Sequence, residues 1–161
     1  MTRHTHLVVP ALAALLLLAG CTTTPTVDEG ALADWRSAQE AATETEPDVL
    51  GVLTADIGPG RQDPSEVGPG VTLRFPASQT VDHLELSCYG NGQMQGIVRI
   101  ESRRGSGSST VDPVDCRDSP HPIRLTDLAS TDVDSVAFNG FDSDRPSAWR
   151  LVIVGAATSR G

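Results

Sequence analysis

Lysine is absent from this chain of 161 residues, and all 12 of its basic residues are arginines. The formal net charge is −9, and removal of the single charge of Arg3 takes it to −10. Arg103 and Arg104 form the only basic pair, and Glu101 and a Gly/Ser stretch flank it. An acidic chain without a basic cluster argues against nucleic acid as a partner and against electrostatic attachment to anionic lipid.

Aromatic residues are also few, with three Phe, two Trp and one Tyr. Glycan-binding surfaces commonly expose aromatic rings, whereas Phe75, Phe138 and Trp149 fall in phase with the apolar faces of predicted strands. Tyr89 is the one ring that we expect to be exposed, and Phe141 is a weaker second. A single exposed ring makes a poor glycan platform.

Motifs for catalysis or transition-metal binding are missing. His83 and His121 have no Cys, His or carboxylate at zinc-ligand spacing. No Gly-x-Ser-x-Gly elbow occurs, and Ser106, Ser108 and Ser109 stand in a Gly-rich stretch without a neighbouring base. We therefore predict a non-enzymatic protein that needs no cofactor, with a hydrolase as a third-ranked alternative.

The chain has one long apolar run, residues 7–20, which follows a short start with one arginine. A helix of this length reaches about 21 Å, whereas the hydrocarbon core of a bilayer is about 30 Å thick. A signal peptide explains the run better than a transmembrane helix does. The run ends in four residues, Leu18, Ala19, Gly20 and Cys21.

These four residues resemble the lipobox of bacterial lipoproteins, in which small residues precede a cysteine that receives lipid. The resemblance implies cleavage before Cys21 and a diacylglycerol on its thiol, which would hold the protein at the extracytoplasmic side of the cell membrane. Two acyl chains give stable anchoring, whereas one holds only marginally. The alternative is an ordinary signal peptide in which Cys21 has no such role.

Four segments follow: a signal peptide at 1–20, a lipidated and flexible acidic tether at 21–47, a folded domain at 48–156 and a tail at 157–161. Within the tether, Asp28 could cap a short helix with Leu32 and Trp35 on one face. Isolated helices of that length are marginal in water, so we expect a disordered or transiently helical segment.

From Val71 onward, apolar and polar residues alternate in short stretches that Gly, Pro, Asn and Asp interrupt. This period of two predicts seven or eight half-buried strands and therefore an all-β sandwich of the jelly-roll or immunoglobulin-like type. Residues 148–154 are apolar at nearly every position, which is typical of a central strand covered on both sides. Asn91-Gly92 predicts a hairpin turn, and Asn139-Gly140 predicts a second turn.

Cys88 and Cys116 remain if lipid occupies Cys21. Both follow the alternation toward the core, and exported proteins usually oxidise such a pair. We predict one disulfide, with two buried free thiols as the alternative.

The acidic residues offer one candidate metal site. Five aspartates fall within 18 residues, and they include two Asp-x-Asp pairs that suggest oxygen ligands for Ca²⁺ without matching an EF-hand. These residues are Asp127, Asp132, Asp134, Asp142 and Asp144. Acidic turns and a soluble surface explain the same residues without calcium.

As a whole, the chain resembles small lipoproteins of actinobacteria with a lipobox, an acidic tether and an uncharacterised disulfide-bearing β domain. The residues that carry this likeness in the domain are Cys88-Tyr89-Gly90-Asn91-Gly92, Cys116 and the late Trp strand at 149–154. The resemblance implies no known activity. We expect a lipid-anchored interaction or structural module whose partner is an envelope protein or glycan. Binding of a small ligand, Ca²⁺ or a cell-wall glycan is the alternative.

Overall fold

The computed structural model describes residues 26–125 and 130–156. This part of the chain contains one α-helix, eight β-strands and two short 3-10 turns. The helix is α1 (Glu29–Thr43). The strands are β1 (Val49–Ile57), β2 (Val71–Gln79), β3 (Val81–Cys88), β4 (Gln93–Ser102), β5 (Gly105–Asp115), β6 (His121–Arg124), β7 (Val133–Phe141) and β8 (Ser147–Gly155).

The strands form two four-stranded antiparallel sheets, which confirms the prediction of an all-β sandwich. Sheet 1 has the order β1-β8-β3-β6, and sheet 2 has the order β2-β7-β4-β5. Strand β1 therefore pairs with β8, β2 with β7, β3 with β6 and β4 with β5. This is the wrapped order of a jelly roll rather than the immunoglobulin order.

The core lies between the sheets and consists of the apolar residues that alternate along each strand. The Phe138 ring of β7 meets Trp149 of β8 nearly edge-on, with 4.8 Å between ring centres. Leu84, Leu86 and Leu151 are fully buried in the same core cluster. The alternation seen in the sequence thus identifies the inward faces correctly.

A disulfide joins Cys88 at the end of β3 to Cys116, which begins the turn after β5, as predicted. The two Cα atoms are 4.8 Å apart. Both residues belong to the buried core cluster. The bridge therefore links sheet 1 to the turn that leaves sheet 2.

The prediction of a flexible tether is wrong for residues 29–43, which form α1. Asp28 is its N-cap and accepts a hydrogen bond from the backbone N–H of Ala31 at 3.0 Å. The helix lies on the outer face of sheet 1, where Leu32 is buried. Contacts with the sheet supply the stability that an isolated helix of this length lacks. Among the described residues, no helix is long and apolar enough to cross a membrane.

Two turn predictions are also wrong. Asn139-Gly140 lies inside β7, where a side chain at position 140 would collide with Met94 and Trp149. The glycine serves close packing rather than a turn. Asn91-Gly92 does connect β3 to β4, but these strands belong to different sheets and do not pair as a hairpin. The Gly/Ser stretch at residues 105–110 belongs to strand β5.

The loop between β1 and β2 covers part of the outer face of sheet 2. Its Val67 packs with Ile97 and Phe141 in a second buried cluster, so the expectation of an exposed Phe141 is wrong. Arg99 holds the loop by donating to the backbone carbonyls of Val67 and Gly68, both at 2.9 Å.

Candidate functional site

A groove of about 740 Å³ lies between α1 and the outer face of sheet 1, and we call it the α1–β1 groove. It is larger than the cavities beside His83 (about 470 Å³) and Gln93 (about 380 Å³). Its volume falls within the range of small-molecule sites. The residues that line it are Trp35, Arg36, Glu40, Thr43 and Glu44 of α1, Val52, Thr54, Ala55 and Asp56 of β1, and Ala148, Trp149 and Arg150 of β8.

Two contacts place the first half of α1. Trp35 packs edge-on against Tyr89, with 5.9 Å between ring centres. The next residue of the helix, Arg36, forms an ion pair with Asp56 of β1. Both aromatic rings are half-buried. The ring predicted to stand alone is therefore one of a pair, and its partner comes from the segment predicted to be a flexible tether.

Arg150 fixes the end of α1. Its guanidinium donates to the hydroxyl of Thr43 at 2.6 Å, and that hydroxyl donates in turn to the carbonyl of Glu40 at 3.1 Å. Burial lowers the pKa of Arg150, while the nearby carboxylates of Glu40 and Glu46 oppose this shift. A cation at a helix C-terminus also interacts favourably with the helix dipole. Arg150 therefore acts as a structural link between β8 and the helix.

Strand β1 contributes a sheet edge to the groove. It pairs with β8 on one side and, among the described residues, with no strand on the other. Near its start, β1 meets β2 at the rim of the sandwich, where Gly51 leaves room for Leu73. Thr54 and Asp56 further along are exposed. The second half of β1 therefore has backbone groups available for a partner.

The groove has a slightly acidic lining. Glu40, Glu44 and Asp56 are exposed, and Arg36 is paired with Asp56. The second cation, Arg150, is only 5% exposed. An approaching ligand therefore meets more accessible negative charge than positive charge.

The aspartates proposed for Ca²⁺ do not converge, which corrects that hypothesis. Asp132 and Asp134 stand at the start of β7 and Asp142 and Asp144 just beyond its end, so a strand of about 30 Å separates the two pairs. Among the residues in 26–125 and 130–156, no three His, Cys, Asp or Glu side chains are arranged for a metal ion. Asp127 lies outside the described residues.

Each described aspartate of the set has a protein partner instead. Asp134 accepts from the Ser78 hydroxyl at 2.7 Å, and Asp142 accepts from the Gln95 amide at 2.9 Å. Asp144 accepts from the backbone N–H of Gln93, also at 2.9 Å. Asp132 lies 3.8 Å from a guanidinium nitrogen of Arg104. Their spacing in the sequence reflects turns at the two ends of β7.

The two histidines within the described residues, His83 and His121, lie apart from the α1–β1 groove. His83 stands between two carboxylates, with Nδ1 2.8 Å from Asp82 and Nε2 3.3 Å from Glu85. The hydrogen bond to Asp82 is the main reason that the pKa of His83 is raised above 6.5, and burial opposes it. His121 Nε2 lies 2.8 Å from the carbonyl oxygen of Asp115.

The lipobox residues Leu18, Ala19, Gly20 and Cys21 lie outside the described residues, so lipidation stays a prediction.

Comparison with protein-family models, curated proteins and solved structures finds no match to this chain.

The α1–β1 groove was not predicted from the sequence, although two features of the sequence point toward it. Asp28 with Leu32 and Trp35 marked a helix start and an apolar face. The apolar character of nearly every residue at 148–154 indicated a strand covered on both sides, and α1 covers the outer face of that strand, β8. Joining these two signals would have placed the helix on the sheet.

Proposed function

We propose that this protein is a lipid-anchored, non-enzymatic interaction module at the extracytoplasmic side of the cell membrane. The observation that carries the proposal is the α1–β1 groove, which an exposed strand edge and a helix form together. The signal-like start and the lipobox in the sequence support export and anchoring. The Cys88–Cys116 disulfide agrees with an oxidising compartment.

The anchor would be the diacylglycerol on Cys21. Each buried methylene contributes about 0.8 kcal/mol, so two acyl chains hold a protein of this size stably at a bilayer. Cys21→Ala should give a protein that lacks the lipid mass and no longer partitions into detergent. Thr22→Ala is the matched control and should remain lipidated. A Cys21→Ala protein that stays in the membrane with an unchanged mass would show that the lipoprotein proposal is wrong.

Interaction through the groove can be tested in intact cells with a photo-crosslinking amino acid. Thr54 is exposed inside the groove, and Ser108 on β5 is exposed in sheet 2, far from α1. We expect a discrete protein adduct from position 54 and none of the same mass from position 108. Equal adducts from both positions, or none from position 54, would contradict an interaction module that uses this groove.

Binding of a cell-wall glycan is the second candidate, because Trp35 lines the groove and packs against a second half-buried ring, that of Tyr89. Sugar rings stack on such aromatic faces. Trp149 is buried, so a change in tryptophan fluorescence on adding a neutral oligosaccharide would report mainly on Trp35. The change should vanish in Trp35→Phe if the glycan contacts that ring.

A further inference from the structure

We infer that the α1–β1 groove binds an extended, basic peptide segment of the partner protein, which adds to sheet 1 as a strand alongside β1. This inference rests on the proposed function and names the chemistry of the partner. In this mode of recognition, backbone hydrogen bonds to a free sheet edge supply affinity, and flanking side chains supply specificity.

The edge of β1 differs from the other three sheet edges of the described chain. Proline cannot donate a backbone hydrogen bond, and natural proteins use it to block edge strands against unwanted pairing. Strand β2 contains Pro76, β5 contains Pro113 and β6 contains Pro122. Strand β1, with nine residues, contains none. The unprotected edge is the one beside the groove.

The helix gives this edge the shape of a peptide site. Helix α1 is held over sheet 1 by Arg36 at its middle and by Thr43 at its end, so it forms a fixed wall. The second half of β1 forms the floor of the groove, where Val52, Thr54 and Asp56 line it. A peptide strand paired with the free edge of β1 would extend this floor and place alternate side chains toward the helix wall.

The charge of the helix wall selects a basic peptide. Glu40 and Glu44 lie on the helix one turn apart and are exposed, whereas Arg36 is already paired and Arg150 is buried. The chain as a whole carries a net charge of −9. Lysine or arginine side chains on the peptide would therefore be attracted to the helix wall, and an acidic peptide would be repelled.

The test uses the full chain and a synthetic peptide of ten alternating valines and lysines with blocked ends. Hydrogen–deuterium exchange of the β1 backbone is the main readout, because amides that face away from β8 gain protection only if a strand pairs with them. Two peptides serve as controls. One has the same sequence with methylated backbone amides and cannot donate hydrogen bonds, and the other has glutamate in place of lysine.

A charge-reversal pair tests the helix wall. Glu40→Lys/Glu44→Lys reverses the charge beside the groove, and Asp112→Lys/Asp118→Lys makes the same net change on exposed residues elsewhere. We expect the first variant to bind the basic peptide about tenfold or more weakly and the second to bind within about threefold of wild type, because charge acts mainly at short range in salt. Circular dichroism should show that both variants retain the fold.

The inference is supported if the basic peptide protects β1, if methylation or replacement of lysine by glutamate weakens binding about tenfold, and if the helix variant behaves as stated. Protection of β2, β5 or β6 instead, binding that is insensitive to methylation, or no binding would overturn it. If a neutral glycan rather than the peptide protects the groove, the inference is also overturned. In each case the Thr54 adduct shows separately whether the proposed interaction function survives.

Discussion

The guanidinium of Arg150 lies 2.6 Å from the hydroxyl of Thr43, although 107 positions separate the two residues in the chain. This contact joins the last turn of α1 to the central strand of sheet 1. Because the Arg150 side chain is almost fully buried, its hydrogen-bond partner matters more than it would at the surface. The docking of α1 therefore depends on a polar contact as well as on the burial of Leu32.

Thr43→Val should loosen the end of α1, because it removes the acceptor for a buried charge while keeping the shape of the side chain. The expected loss in free energy of unfolding is about 1–3 kcal/mol, measured by urea denaturation. Thr43→Ser keeps the hydroxyl and should cost much less. Equal stability of the valine and serine variants would show that the contact does not hold the helix.

Removal of the disulfide should destabilise the sandwich strongly. The bridge spans 28 positions and lies in the core, so Cys88→Ala/Cys116→Ala should lower the free energy of unfolding by about 2–5 kcal/mol. Thiol titration of the unfolded protein should find no free cysteine unless a reductant is added. Cys21 does not contribute if its thiol carries lipid. Two free thiols without reductant would contradict the bridge.

His83 should make stability depend on pH. Its pKa is raised in the folded state, mainly by the hydrogen bond to Asp82, so its stabilising contribution is complete below about pH 6. That contribution should decline as the pH rises through the folded-state pKa. Asp82→Asn should lower the pKa of His83 in an NMR titration, and Glu85→Gln should lower it less. A larger effect of Glu85→Gln would contradict this order.

The loop between β1 and β2 should detach when its clamp is removed. Arg99→Met eliminates both hydrogen bonds to the carbonyls of Val67 and Gly68, and limited proteolysis should then cut within residues 61–70 faster. Val67→Ala removes two buried methyl groups and should cost about 1–2 kcal/mol. Arg74→Met, on the same sheet but without a contact to the loop, is the control and should leave the cutting rate unchanged.

The strands could be predicted from the sequence where one face of the strand is buried and the other is exposed to solvent. Leu84 and Leu86 alternate with polar residues because the core lies on one side of β3. The same rule fails at Gly105–Asp115, because an edge strand with few apolar residues has the composition of a loop. It fails again at Gly140, where the glycine is required by the bulk of Trp149 across the core. Such contacts between distant residues leave no local signal.

The candidate site was less predictable because it depends on how one element docks on another. Asp28 indicated the start of a helix, but no nearby residue in the sequence indicated that Arg150 and Asp56 would hold the helix on the sheet. The aspartate pairs show the opposite failure, since residues close in sequence lie at the two ends of a strand. Proximity in the chain predicted a site that the fold does not assemble.

Docking of α1 also sets how far the domain stands from the membrane if Cys21 carries the proposed lipid. Seven residues separate Cys21 from Glu29, the first residue of the helix, and the eight steps between the two Cα atoms span at most about 28 Å when fully extended. If α1 came off sheet 1 and unfolded, the connection would run to Val49 and extend to about 100 Å. The contact between Thr43 and Arg150 would then limit how far from the bilayer the sandwich can move, and therefore which partners in the envelope it can reach.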